Sequence, residues 1–481
     1  MLLRRFYDDA LAQASYLIGC QRTGDAIVVD PNRDTDQYIA AAKSDGVRIT
    51  HVTETHIHAD FVSGARQLSR RAGGQLFLSD CASDYRYSYA GTDNATMLHD
   101  GATIAVGNVR LDVIHTPGHT PEHVSFIVTD GAGADAPMGM LSGDFIFVGD
   151  VGRPDLLERA ANVAGSTDAL ARALHRSLGK ISSLPDWLQI WPGHGAGSAC
   201  GKALGAVPQS TLGYERRFNW AFQIEDESDF VREVLVGQSD PPSYFARMKR
   251  VNQRGPRVLG GFPQPVEIDD IGLREAMRAA TPIVDTRPVG AFASGHLQGS
   301  LSLPLGKSFT TWAGWLLDGE RELILISEDA PTAAAAARAL SMIGIDRVAS
   351  YASPDAMRSA GRDGGLQTVQ RLTPSELRDR MTSGDVHVVD VRSAAEWGAG
   401  HLPGAQNIPL GELAARAGEL PRGRAIVVQC QGGLRSMIGS SLLQAHGAAR
   451  VLDLRGGFAE WDATGLPTER ENRLRPSDLP A

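Results

Sequence analysis

"THIHADFVSG" (residues 55–64) decides how the first half of this chain is read. His56, His58 and Asp60 alternate as H-x-H-x-D, the spacing of metal ligands on a tight loop. The next residue is Phe61, whose ring offers no lone pair. A short loop cannot surround an ion alone, so partners are sought downstream. "HTPGHTPEH" (115–123) offers His119, "LSGDFIF" (141–147) offers Asp144 and "WPGHG" (191–195) offers His194. Each stands where an apolar strand meets a glycine-containing turn, the place from which loops project functional groups off a rigid sheet.

Residues 1–235 carry 9 of the 13 histidines, and β-like runs such as "AIVVD" (26–30), "VRLDVIHT" (109–116) and "VSFIVTD" (124–130) alternate there with turns and helical stretches. An α/β domain with much antiparallel strand follows. Residues 236–265, rich in Pro and Gly, read as a linker or irregular arm.

An internal repeat comes next. "IVDTRPVGAFASGHLQGSLSLPL" begins at Ile283 and "VVDVRSAAEWGAGHLPGAQNIPL" at Val388. Asp285, Arg287, Gly295, His296, Leu297, Gly299 and Pro304 recur as Asp390, Arg392, Gly400, His401, Leu402, Gly404 and Pro409, all at an offset of 105 residues. Two βα-alternating domains are expected, over 266–360 and 370–472, each with a mainly parallel sheet. After its strand the second copy has "CQGGLRS" (430–436), whereas the first has "SEDAPTA" (327–333), with no cysteine and no glycine pair.

The length of 481 residues fits about three domains. Net charge is −9 with both signs dispersed, so nucleic acid is not an expected partner. No apolar run is long enough to span a membrane, and Asp8 and Asp9 interrupt any signal-like start. Four cysteines (Cys20, Cys81, Cys200, Cys430) fit a reducing, cytoplasmic setting.

The ordered set H-x-H-x-D, H, D, H resembles the metallo-β-lactamase superfamily, and implies an αββα sandwich over 1–235. Two-metal members place a histidine where Phe61 stands, so one metal is expected here. Within the superfamily the set resembles the persulfide dioxygenases. That resemblance implies one Fe(II) per chain on His56, His119 and Asp144, with no organic cofactor; two imidazoles and a carboxylate are the facial triad of non-haem Fe(II) oxygenases. His58, Asp60 and His194 are then supporting groups that orient ligands or meet substrate and water. Phe61 departs from the mitochondrial form, which keeps a histidine. "VGRPDL" (151–156) resembles a segment of the persulfide dioxygenases, which implies Arg153 as a candidate for a substrate carboxylate or for orienting the site, and 197–219 resembles a stretch of their bacterial multidomain members, which implies Tyr214 and Arg216 as candidate channel residues. Cys200, beside Lys202, is a candidate reactive thiol, the alternative being a buried small apolar residue.

"CQGGLRS" resembles the active-site loop of single-domain rhodaneses. A cysteine on a Gly-rich loop opening a helix meets backbone N–H groups, and the helix N-terminus and Arg435 favour an anion. Cys430 is therefore expected to accept a sulfane sulfur, with Gly432 and Gly433 letting the backbone curl around it. The first copy is expected to be an inactive scaffold. Together the resemblances imply oxidation of a small persulfide (of glutathione, coenzyme A, bacillithiol or cysteine) by O2 to sulfite. Sulfur transfer to sulfite then gives thiosulfate, as in sulfide detoxification. The alternative is a zinc thioester hydrolase of the glyoxalase II type. A homo-oligomer is expected from the relatives.

Overall fold

The computed structural model describes residues 1–161, 165–238, 240–362 and 364–470. They fall into two compact units, Met1–Gly261 with Leu340–Gly344, and Phe262–Ala339 with Ile345–Ala481. Residues 471 and 472, the expected end of the second repeat copy, lie outside the described residues.

The first unit holds two six-stranded sheets. One comprises β1 (Leu2–Asp8), β2 (Gln13–Cys20), β3 (Asp25–Val29), β4 (Arg48–Thr53), β5 (Gln75–Ser79) and β6 (Thr96–Leu98), in sequence order. The other comprises β7 (Thr103–Val106), β8 (Val109–His115), β9 (Val124–Asp130), β10 (Gly139–Gly143), β11 (Gln189–Pro192) and β12 (Ser210–Thr211). Helices α1 (Thr35–Ser44) and α2 (Ala65–Ala72) cover the first sheet, and α3 (Leu156–Ala161), α4 (Ser166–Lys180), α5 (Leu212–Phe218), α6 (Glu227–Leu235) and α7 (Phe245–Arg254) follow.

Alternation along the strands builds the layers. Ile18, Ile27 and Val29 of the first sheet join Val109, Leu111, Val113, Phe126 and Trp191 of the second in the core between the sheets. The intervening Leu17, Ala26, Val28 and Val52 point the other way, onto Tyr38 and Ala42 of α1 and Leu68 of α2. Ile127, Met140 and Ile190 of the second sheet pack on Ala171, Leu174 and Leu178 of α4 and Phe230 and Val234 of α6. The result is the expected αββα sandwich.

The expected linker is corrected at one place. Residues 245–254 form α7, in which Phe245, Met248, Lys249 and Asn252 are buried. The flanking prolines and glycines hid a helix whose inward face repeats at three- and four-residue spacing.

In the second unit, β13 (Val266–Glu267), β14 (Ile283–Asp285), β15 (His296–Leu297), β16 (Leu301–Ser302), β17 (Leu323–Ile326) and β18 (Val348–Ala352) belong to the first copy. After β19 (Leu366–Gln367), which pairs with β15, come β20 (Gln370–Leu372), β21 (Val386–Asp390), β22 (Gln406–Asn407), β23 (Ala425–Gln429) and β24 (Val451–Leu454). The two five-stranded sheets have the matching orders β13-β18-β17-β14-β16 and β20-β24-β23-β21-β22, and the strand pairs within each are parallel. The repeated residues do the same work twice. Arg287 grips Asp285 and the Gly295 carbonyl, and Arg392 grips Asp390 and the Gly400 carbonyl. His296 stacks on Phe292 and His401 on Trp397, each at 3.8 Å.

Candidate metal centre and sulfur site

Four strand ends place the metal cluster: the loop after β4 brings His56, the β8–β9 loop His119, and the ends of β10 and β11 Asp144 and His194. All four side chains are buried. A second-layer bond fixes each imidazole. The His56 Nδ1–H donates to Thr55 Oγ1 at 2.9 Å, because that hydroxyl spends its own proton on Asp30 at 3.0 Å. The His119 Nδ1–H donates to the Arg153 carbonyl at 3.0 Å. Both rings therefore present a bare Nε2. These two nitrogens lie 3.8 and 3.5 Å from Asp144 Oδ2.

The other Asp144 oxygen accepts from His194 Nδ1–H at 2.7 Å, and His194 Nε2–H donates to Asp60 at 2.8 Å. Burial opposes charge on His194, yet Asp144 and Asp60 override it and raise the imidazole well above its ordinary range. Burial alone would raise the Asp144 carboxyl, but His194 holds it well below the usual range. His56 goes the other way: burial and the surrounding histidines keep it neutral. Burial likewise pushes His119 down to about 4. Among the described residues, His56 Nε2 and Asp144 Oδ2 have no hydrogen-bond partner although both are buried. Buried polar atoms are normally satisfied, so the convergence of two such atoms with a bare His119 nitrogen fits a cation. His56, His119 and Asp144 together could hold a metal ion. Asp60, His194 and Cys200 also lie close enough to share one, but both His194 nitrogens are already committed to carboxylates.

The remaining residues of the opening stretch support the first cluster. His58 Nε2 pairs with Asp30 Oδ1 at 3.0 Å, and its ring lies 4.5 Å from that of Phe61. Phe61 is fully buried. At the end of the stretch, a Cβ on Gly64 would lie 2.0 Å from the Asn32 carbonyl, so only glycine fits there. Two residues were missed by the sequence reading, Asn252 outside the motifs and Glu122 inside the quoted 115–123 stretch. Asn252 on α7 donates to the carbonyls of His58 (2.8 Å) and Phe61 (2.7 Å) and accepts from Ser63 N–H (2.9 Å). Glu122 accepts from Ile57 N–H at 2.9 Å.

Three sequence expectations are corrected. The Arg153 side chain is buried and paired through two nitrogens with Asp155 at 2.7 Å, while the orienting role expected of this residue is met by its carbonyl, which fixes His119. Tyr214 is 54% exposed and its ring meets Phe218, while Arg216 binds Asp186 and the carbonyls of Ile181, Ser182 and Leu184. Neither is brought to the cluster by these contacts. Cys200 is buried, and burial with Asp60 and Asp144 nearby raises its thiol well above the ordinary range. Its sequence neighbour Lys202 donates to Glu233.

Cys430 follows β23 directly and is 1% exposed. Its sulfur accepts from Gly433 N–H at 3.1 Å and lies 3.6 Å from Ser436 Oγ. Gly433 has φ +93°, a conformation that aims its N–H at the sulfur and that other residues rarely adopt. Gly432 is exposed beside it. The Arg435 head is bound twice by Glu396, at 2.7 and 2.8 Å, so the guanidinium expected to face an anion is committed to a carboxylate. The helix Leu434–Ala445 that starts here is buried along most of its length, and the first copy holds it: Ser302 N–H donates to Ser441 at 3.0 Å. In that first copy Ser327 takes the place of Cys430 after the strand, bonded to Thr286 at 2.8 Å. Its helix begins at Ala330, leaving three loop residues instead of four.

Comparison with known proteins agrees with this layout. The metallo-beta-lactamase superfamily model matches residues 8–194, and the rhodanese-like domain model matches 272–353 and 373–464. A solved metallo-beta-lactamase from Staphylococcus aureus is 42% identical, with a TM-score of 0.66, over 73% of this chain and 99% of its own. "Persulfide dioxygenase ETHE1, mitochondrial" of Bos taurus is 30% identical over 40% of this chain and 68% of its own length. Hydroxyacylglutathione hydrolase of Nitrosococcus oceani is 32% identical over 40% of this chain and 66% of its own. The chain belongs to the metallo-beta-lactamase superfamily, and carries two rhodanese-like domains behind its metal-binding fold.

Proposed function

We propose that the chain oxidises a small persulfide with O2 to sulfite and transfers a second sulfane sulfur to that sulfite through Cys430. The observation that carries the first half is the cluster of bare donors, His56 Nε2, His119 Nε2 and Asp144 Oδ2. Two imidazoles and one carboxylate suit Fe(II), which supplies redox chemistry toward O2 when bound. The overall change is R-S-SH + O2 + H2O → R-SH + sulfite + two protons. Protein residues do the rest: Thr55 and the Arg153 carbonyl keep the two histidines in one tautomer. His194, doubly protonated, holds Asp144 in place. Phe61 closes one wall against water. For the second half, Cys430 receives the outer sulfur of another persulfide, releasing R-SH, and yields it to sulfite as thiosulfate. The Gly433 N–H stabilises negative charge on the sulfur.

The hydroxyacylglutathione hydrolase relative favours a second reading, thioester hydrolysis by a zinc-activated water. Oxygen uptake separates the two. Anaerobically purified protein given glutathione, cysteine or coenzyme A persulfide should consume one O2 per sulfite formed. Zinc in place of iron, thioester cleavage and no O2 uptake would establish the hydrolase.

A further inference from the structure

Two buried ionisable side chains of opposite type lie close to the loop that carries His56 and His58, and neither is used by the chemistry above. Lys249 is 8% exposed and, among the described residues, its Nζ has no hydrogen-bond partner. It sits three residues before Asn252 on α7, one turn from the residue that pins the His58–Ser63 backbone. Burial lowers the Lys249 ammonium from its ordinary range, Glu122 and Cys200 oppose that, and Lys249 adds to the burial that pushes His119 down. Its ammonium lies 5.9 Å from the centre of the Tyr85 ring. Glu122 is fully buried, three residues after His119. One of its oxygens holds the Ile57 N–H between His56 and His58, while Oε2 has no hydrogen-bond partner among the described residues.

An unpaired buried charge is costly, and two of opposite sign that do not pair with each other are costlier than the ion pair they could have formed. Such an arrangement suits a ligand that completes both poles at once.

We propose that Lys249 and Glu122 form a bipolar subsite for the carrier end of the substrate, Lys249 taking a carboxylate and Glu122 an ammonium. This rests on the persulfide reading of the metal cluster. Both poles lie close to the loop that carries His56 and His58, so the carrier must bear its two charges close to the sulfur that the cluster takes. A free amino-acid thiol such as cysteine does so. In glutathione the cysteinyl amine and carboxyl are amides, and the thiol end of coenzyme A carries neither charge.

Calorimetric binding of product thiols to the full chain, without O2, tests the subsite independently of turnover. L-cysteine should bind at least about tenfold more tightly than glutathione. Lys249→Met should weaken L-cysteine at least about tenfold and leave cysteamine, which lacks the carboxylate, unchanged. Glu122→Gln keeps an acceptor for Ile57 N–H; it should weaken L-cysteine and leave N-acetyl-L-cysteine, which lacks the ammonium, unchanged. Lys249→Arg, which keeps the charge, should retain part of the binding. A parallel melt serves as a second readout: Lys249→Met, relieved of an unpaired charge, should melt higher than wild type without ligand. Equal binding of L-cysteine by wild type and both variants, or equal losses for all four thiols, would overturn the subsite. Should the binding pattern hold while wild type consumes no O2, the dioxygenase reading fails and the subsite stands; the reverse result removes the subsite alone.

Discussion

The two loops that carry chemistry are built in opposite ways. The Cys430 loop is made by its own backbone: a strand end, a left-handed glycine and a helix start place Gly433 N–H on the sulfur. The metal loop 55–64 is made by others. Asp30, Glu122 and Asn252, together with the Arg153 carbonyl, fix its backbone and the rings around it. A self-built loop fails when its own residues change. A loop braced from afar also fails when its braces do.

The largest expected effect is local. Cys430→Ser should abolish thiosulfate formation and let sulfite accumulate, with O2 consumption unchanged; assaying both products with O2 checks this. Unchanged thiosulfate would dissolve the distinction between the two loops. The reciprocal change, Ser327→Cys, should give no sulfur transfer in a Cys430→Ser background, because the first copy has a shorter loop and no glycine pair to cradle sulfur.

Next comes a remote effect. Asn252→Ala removes three buried hydrogen bonds and leaves the His58 and Phe61 carbonyls bare. It should cost about 3 kcal/mol and lower metal content, although Asn252 touches no ligand side chain in these bonds. Denaturant melts and metal analysis read both. Gly433→Ala is milder: the left-handed backbone should cost about 1 kcal/mol and slow sulfur transfer without changing metal content.

The smallest effect is a pH dependence. Arg435 holds Glu396 down to about 2, below its ordinary 4.5. A depressed carboxyl contributes stability above its unfolded value and loses it as pH falls from about 4.5 toward 2. Glu396→Gln should flatten the fall in melting temperature of the wild type across that window.

The same contrast explains what could be read from sequence. The cysteine loop was legible because its determinants are contiguous. The repeat was legible because Asp285 and Arg287, like Asp390 and Arg392, bond to each other two residues apart. The residues that converge in the candidate metal cluster stood in the sequence as a set of four motifs in order. Asn252 was not: it lies 191 residues from Phe61, in a segment whose prolines and glycines read as linker. Arg153 drew attention through the resemblance of its segment, and the atom that meets His119 is its carbonyl, which every residue has. Local spacing cannot show where a distant helix lands, nor which backbone oxygen an imidazole finds.

Metal stoichiometry tests the central claim most directly. Wild type should hold one metal per chain, His56→Ala should lose it, and Asp60→Asn should keep it. Two metals per chain in wild type, or loss of metal in Asp60→Asn equal to that in His56→Ala, would contradict a single centre on His56, His119 and Asp144.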